Sequence, residues 1–486
     1  MAIKFSERQV LDRINFENPW WDTNEIDSYY HSMKKREYFN LLYPLVKERG
    51  IKRALILMGP RRVGKTVLLY QSIQELINEK VNPKEICYFS IETPLFNGIS
   101  LEELINLYLK KNAKTTKDTL YFFFDEIQYL KDWEVHLKSL VDSYHNFKFI
   151  VSGSAAAALK LKSKESGAGR FTEFVLPPLT FQEFLKLTEN EHLIDTKWVE
   201  VSNGDENYLT PEYSANDIDK LNQKFIEYIN YGGYPELSLS EVMKSDPGRY
   251  IRNDIIDKVL LRDLPSLYGI NDIQELNSLF TYLAYHSGSE MSLDEISQNS
   301  GVAKNTIKKY ITYLEAAFLI KVIHRIDQNA KKFKRANFYK IYLTNSALRS
   351  ALFSPISTSD PMIGNLVETA IFSQWQHSQD MQLYYARWKA GEIDIVSLRA
   401  DQKPSWCIEL KWSNRFVAKS HELKNLKNFC IKHKLTKTRV TTIDISKIID
   451  LNGIEVTFEP ASLYCYIVGK NLVTNKRKKL ITIDKK

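Results

Sequence analysis

Ala54-Leu55-Ile56-Leu57-Met58-Gly59-Pro60-Arg61-Arg62-Val63-Gly64-Lys65-Thr66 decides the fold of the first part of the chain. Five apolar residues read as a buried strand, the GxxxxGK[ST] spacing as a loop, and the amphipathic run from Lys65 as a helix. A loop in this setting turns backbone N–H groups inward and ends on a helix N-terminus, so the segment predicts a phosphate cradle. Gly59 and Gly64 permit the turn, Lys65 reaches the β- and γ-phosphates of ATP, and the hydroxyl of Thr66 ligates Mg²⁺. Pro60, Arg61, Arg62, Val63 and Val67 complete the wrap, with the two arginines reading best as solvated loop residues.

A second element must hold the metal and manage water. Leu120-Tyr121-Phe122-Phe123-Phe124-Asp125-Glu126 supplies it at the end of an apolar strand. Asp125 is expected to hold Mg²⁺ through water, and Glu126 to orient or deprotonate the attacking water. Strands are predicted at Ala54–Met58, Ile86–Ile91, Leu120–Phe124, Lys148–Ser152 and Glu173–Leu176, with helices near Lys65–Glu79, Ser100–Lys111 and Asp132–Tyr144. That alternation predicts an α/β domain, a P-loop NTPase parallel sheet covered by helices.

An extra strand between the two motifs resembles the arrangement of the AAA+ ATPases with an added catalytic glutamate. The resemblance implies a polar sensor at the end of the strand beside Asp125, which Ser152-Gly153-Ser154 fits through Ser152 or Ser154. It also implies an arginine on the γ-phosphate, in cis or from a neighbouring copy. Arg170 is the candidate, and a plain surface arginine is its alternative.

The length, 486 residues, predicts about three domains. With 44% hydrophobic and 26% charged residues, wholesale disorder is excluded. A net charge of +8 is small for this length, but the clusters Lys304–Lys309, Lys331–Arg335 and Lys476–Lys479 place any polyanion surface in the C-terminal half. Four scattered cysteines without a CxxC pair argue against a disulfide framework or a thiolate zinc site, and suit a reducing cytoplasm. No apolar run approaches the roughly 20 residues that span a bilayer, so no membrane role is expected.

Residues 1–190 are expected to form the ATPase domain, and 191–264 a helical lid or connector in which the polar stretch Asn203–Asp219 is an exposed insertion. Over 265–352, Ser292–Asn299, the turn Ser300-Gly301, Ala303–Ala317 and the strands Leu319–Ile326 and Phe338–Leu343 match the order of a winged helix-turn-helix. Lys304, Asn305, Thr306, Lys308 and Lys309 open its second helix and suit contact with DNA, with Lys331–Arg335 as a wing tip on phosphates. Protein docking is the alternative use of such a segment. Tyr310, Tyr313 and Phe318 recur at helical spacing and read as core.

Beyond the Ser/Pro/Asp-rich run Phe353–Pro361, residues 353–486 hold a second set of charged groups. If two antiparallel strands turn at Asp401-Gln402, Asp394 falls opposite Glu409. Alternation then puts Glu409 and Lys411 on its face, with Ile393, Ile395, Ile408 and Leu410 on the other. Two buried carboxylates and a lysine suit one or two Mg²⁺ or Mn²⁺ ions acting on a phosphate. The pattern resembles the catalytic core of PD-(D/E)xK nucleases, with Asp394 and Glu409 as metal ligands and Glu368 as the helical carboxylate. The alternative is a buried salt-bridge cluster on an inactive fold of restriction-endonuclease type.

Together with Gly232-Gly233-Tyr234-Pro235, Leu176–Phe184 and Lys411-Trp412-Ser413, these motifs resemble a family of bacterial and archaeal ATPases with a C-terminal domain of unknown function. The resemblance runs from about Tyr38 to Leu472. Trp412 departs from it, standing where a small residue is usual. Two functions follow: an ATPase that binds DNA and cleaves it, or a non-nucleolytic switch that binds DNA, a protein partner or further copies of itself.

Overall fold

The structure is a computed structural model that describes residues 6–154, 169–203, 206–333, 337–378 and 381–483. It divides into two compact units, Met1–Pro177 with Lys476–Lys486, and Pro178–Asn475.

In the first unit the strands β1 (Ala54–Met58), β2 (Ile86–Ser90), β3 (Leu120–Asp125), β4 (Phe147–Gly153) and β5 (Phe171–Val175) form one sheet in the order β2-β3-β4-β1-β5. Every neighbouring pair is parallel. A parallel sheet is covered on both faces by its crossover helices, so its strands are apolar throughout rather than alternating. Phe122, Phe123 and Phe124 are accordingly all fully buried. The helices Lys65–Asn78, Leu101–Lys111 and Trp133–Ser143 provide the cover. The sequence-based strand and helix positions agree with these to within about two residues, the usual uncertainty of element ends. β1 and β3 both end on the same edge of the sheet, which brings the phosphate loop beside Asp125.

The second unit opens with the hairpin β6 (Ile194–Asn203) and β7 (Glu206–Ala215), paired in unbroken register from Ile194↔Ala215 to Asn203↔Glu206. The polar stretch expected as an insertion thus belongs largely to a two-stranded ribbon.

A nine-stranded sheet follows, in the order β15-β16-β14-β13-β12-β11-β9-β10-β8. Its strands are β8 (Glu290–Ser292), β9 (Ile320–Ile326), β10 (Phe338–Leu343), β11 (Leu383–Trp388), β12 (Gly391–Leu398), β13 (Pro404–Glu409), β14 (Lys437–Thr442), β15 (Lys447–Asp450) and β16 (Glu455–Pro460). The helices Ile273–Tyr285, Leu293–Ser300 and Lys304–Ala316 precede β9. A parallel pairing of β9 with β11, Tyr384↔His324 to Ala386↔Ile326, joins this helix and hairpin segment to the C-terminal strands in one sheet.

Two apolar cores flank the sheet. One gathers Leu366, Val367, Ala370 and Ile371 of helix Ile363–Trp375 with Ile395, Ile408 and Leu410. The other gathers Ile393, Val396, Phe429, Val440 and Phe458. Ile393 and Ile395 therefore enter different cores, contrary to the alternation expected of a regular strand. The cause is a β-bulge: Tyr384 pairs with Val396 and Ala386 with Ile393, so Asp394 and Ile395 together face the single residue Tyr385. The bulge is what re-aims Asp394.

Candidate functional site

The phosphate loop is built by close backbone approach. A Cβ on Gly59 would lie 2.2 Å from the carbonyl oxygen of Leu176, and Gly64 takes φ +93° to start the helix. Lys65 is buried, and its ammonium donates to the carbonyls of Gly59 at 3.1 Å and Pro60 at 2.7 Å. From outside the motif, Arg36 is 5% exposed and donates to the carbonyls of Val63 at 2.9 Å and Pro177 at 3.0 Å. Nothing local in the sequence marked Arg36. It braces the loop from the N-terminal lead-in.

Asp125 is the hub of the site. Its carboxylate accepts from Thr66 Oγ1 at 2.7 Å, from the Tyr88 hydroxyl at 2.9 Å and from the Ser152 hydroxyl. Burial, and next the charge of Glu126, push its carboxyl above the ordinary range, while the three hydroxyl donors act against them. Tyr88 in turn sits 4.8 Å from the ring of Tyr70, which stacks on Tyr30 at 4.1 Å. Glu126 takes φ +54°, a strained setting for a non-glycine residue that turns it off the end of β3. Its side chain accepts from Gln128 Nε2, and Gln128 Oε1 also receives the N–H of Ser154 at 3.1 Å. Gln128 and Tyr88 were not singled out by sequence, since neither belongs to a motif.

The two candidate serines separate. Ser152 is engaged, donating to Asp125 and accepting from the N–H of Glu126 at 3.2 Å. The hydroxyl of Ser154 is buried and has no hydrogen-bond partner among the described residues. Arg170 is not at this site in its own chain. It lies just before β5, where its carbonyl receives the N–H of Ala54, whereas the loop leaves the far end of β1. The separation is about 13 Å along the strands, and its guanidinium is paired with Asp142 at 3.1 Å. Contact in cis is overturned on that ground.

The donor set suits magnesium. A hydroxyl and a buried carboxylate 2.7 Å apart, beside a loop of backbone donors, are the hard oxygen ligands this ion takes alongside phosphate.

A second cluster lies in the other unit. The register Ile395↔Ile408 continues to place Asp394 opposite Glu409, as the sequence spacing predicts. Lys411 joins them, with its ammonium 3.1 Å from Asp394 and 2.8 Å from Glu409. Glu368, from helix Ile363–Trp375, reaches the same place. The sequence reading missed Lys340 of β10, which is 3% exposed and lies 2.8 Å from Glu368, 3.0 Å from Glu392 and 3.7 Å from Asp394. Three strand spacings separate β10 from β12, about 14 Å in a flat sheet, and the long side chains of Lys340 and Glu392 meet across that span. Tyr342 also donates to Glu368.

Burial, and next the charge of Asp394, raise the Glu409 carboxyl to about 8, and Glu409 Oε2 is buried without a hydrogen-bond partner. Burial would likewise raise Asp394, but Lys411, Lys340 and the N–H of Leu410 hold it below the ordinary range. Among the described residues no group of three or more His, Cys, Asp or Glu side chains is arranged to hold a metal ion. The residues as they stand therefore do not fit the metal that the nuclease resemblance implies.

The helix Lys304–Ala316 buries Ile307, Tyr310, Ile311 and Leu314, and exposes Lys304, Asn305, Lys308 and Lys309 with Thr306 half-buried. Lys304 pairs with Asp294. Lys334 and Arg335 of the expected wing tip lie outside the described residues, as do the side chains of Lys476–Lys479.

Residues 51–185 match the model of a family described as an AAA domain. The match falls on the parallel sheet and its phosphate loop, and it supports a P-loop ATPase domain there. Residues 222–360 match a domain of unknown function (DUF8612). An uncharacterized protein of Haemophilus influenzae is 25% identical over 425 residues, 86% of this chain and 96% of its own. One from Methanocaldococcus jannaschii is 26% identical over 372 residues, 74% and 76% of the two chains. Among solved structures, the Aeropyrum pernix ORC1 protein in complex with DNA aligns with 68% of this chain and 95% of its own, at 13% identity and a TM-score of 0.33. Cdc6p from Pyrobaculum aerophilum aligns with 67% and 96%, at 12% identity and a TM-score of 0.29. Scores at this level carry no functional argument. No helix among the described residues is long and apolar enough to cross a membrane.

Proposed function

We propose that the chain is a magnesium-dependent ATP hydrolase whose nucleotide state governs a DNA-binding second unit that does not itself cut DNA. The observation that carries the reading is the hydrogen bond of 2.7 Å between Thr66 and Asp125, because it joins the two motifs that must share one metal. Thr66 and Asp125 would hold Mg²⁺, which would supply charge withdrawal from the phosphate oxygens. Lys65 leaves its two carbonyl partners for the phosphates, Glu126 orients the attacking water, and Ser154 offers its unpartnered hydroxyl at the strand end. Arg170 serves a neighbouring copy's site in a homo-oligomer. Phosphate release from ATP, measured with magnesium and with chelator, tests the reading, and turnover that persists without a divalent ion would reject it.

DNA contact rests on the helix Lys304–Ala316, whose one face is core and whose other presents exposed lysines, in the element order of a winged helix. Cleavage is the second reading, favoured by the convergence of Glu368, Asp394, Glu409 and Lys411. Plasmid nicking that is lost in Asp394→Ala and Lys411→Ala would establish it and reject the non-cleaving one.

A further inference from the structure

Four carboxylates, Glu368, Asp394, Glu392 and Glu409, meet in one region of the second unit, and two ammonium groups lie among them. Lys411 stands on one side, between Asp394 and Glu409. Lys340 stands on the other, between Glu368, Glu392 and Asp394, with the rings of Tyr385 and Tyr342 5.6 and 6.0 Å from its ammonium. An ammonium this buried is costly to hold without partners. At 3% exposure the Lys340 side chain has little free space to turn into, and its Cα is held within the sheet. The backbone of Lys340 pairs with Ile323 of β9 on one side and Glu290 of β8 on the other. A divalent ion takes carboxylate oxygens at about 2.0–2.6 Å. An ammonium 2.8 Å from Glu368 and 3.7 Å from Asp394 competes with such an ion for their oxygens and repels its charge.

We infer that Lys340 is the resident cation of this cluster, a side chain from β10 that occupies the seat of a divalent metal and keeps the site closed to Mg²⁺ and Mn²⁺. The inference rests on the non-cleaving reading above and gives it a physical cause. It also implies a latent site. With the Lys340 charge removed, Glu368 and Asp394 lose the cation they share, and their oxygens suit a hard cation.

The test uses the full-length chain without nucleotide, titrated with Mn²⁺ while bound ions are counted by electron paramagnetic resonance. Wild type and Asp394→Asn are expected to bind the same number. Lys340→Met is expected to bind one more ion per chain, which the double variant Lys340→Met with Asp394→Asn loses again. A wild-type ion removed by Asp394→Asn would overturn the inference, and so would a folded Lys340→Met protein that gains no ion. Where Lys340→Met does not fold, the comparison of wild type with Asp394→Asn decides: equal counts support the closed site and unequal counts reject it. Nicking of plasmid by the wild type would sink the non-cleaving reading. An Asp394-dependent ion without nicking would sink the inference alone.

Discussion

Thr66 Oγ1 lies 2.7 Å from Oδ2 of Asp125, across 59 residues of sequence, so the first turn of helix Lys65–Asn78 and the end of β3 address one point. A hydroxyl and a carboxylate so placed can hold the same ion, and Glu126, the next residue, is turned outward by its positive φ. The neighbouring roles are separable. Glu126→Gln keeps the shape and removes the base, so ATP still binds while turnover falls by about 10²-fold or more. Lys65→Ala removes a phosphate contact, so both binding and turnover fall. Nucleotide binding and phosphate release, measured side by side on the two variants, check the split, and unaltered turnover in either would refute its role.

Arg36 reaches two carbonyls, Val63 inside the loop and Pro177 at the end of the unit. Arg36→Ala leaves buried acceptors without this donor, which costs about 1–3 kcal/mol. The melting temperature of the first unit should fall, and KM for ATP should rise with a smaller change in kcat. Arg36→Lys, with one ammonium in place of the planar fork, should fall between the two proteins. A wild-type KM in both variants would show that the loop holds its shape unaided.

The two acid–phosphate motifs were legible because each is contiguous and its chemistry fixes residue types at fixed spacing. Strand positions in the first unit were legible for a related reason, since a doubly covered sheet leaves apolar runs. Asp394 opposite Glu409 followed from simple register counting. What failed was local regularity: the bulge at Asp394-Ile395 breaks the alternation that assigned Ile393 to the wrong core. What was invisible was long-range pairing. Lys340 lies 54 residues before Asp394 and on a strand read only as part of a wing, and Arg36 lies 27 before Val63. A lone lysine or arginine carries no spacing signal, so only the assembled sheet and the folded lead-in reveal what each one holds.

Glu409 gives the second unit a pH signature. Burial, and next the charge of Asp394, raise its carboxyl to about 8 in the folded protein, against about 4.5 for the unfolded chain. Between those values the folded state keeps a proton that the unfolded state releases, so stability from this group is fully present below pH 4.5 and is lost as pH rises through about 8. Glu409→Gln holds the neutral form at every pH. Its melting temperature should therefore gain on the wild type between pH 5 and 8.5, by an amount on the order of a few kcal/mol in stability. A difference that does not change with pH would show that Glu409 is ionised in the fold.

Contact with DNA leaves a thermodynamic trace that protein docking does not. Each phosphate neutralised on a duplex releases counterions, so log K falls with log salt at a slope of about −0.9 per contact. Lys304, Lys308 and Lys309 are exposed on the helix Lys304–Ala316, opposite the buried face of Ile307, Tyr310, Ile311 and Leu314. Replacing all three with alanine should shallow the slope by up to about 2.7 and leave the melting temperature almost unchanged, since none of them is core. Lys304 is already paired with Asp294 and should contribute least when changed alone. Binding isotherms at several salt concentrations, on wild type and triple variant, measure the difference directly. A slope near zero in the wild type would assign this helix to a protein partner, because association through an uncharged surface releases no condensed ions.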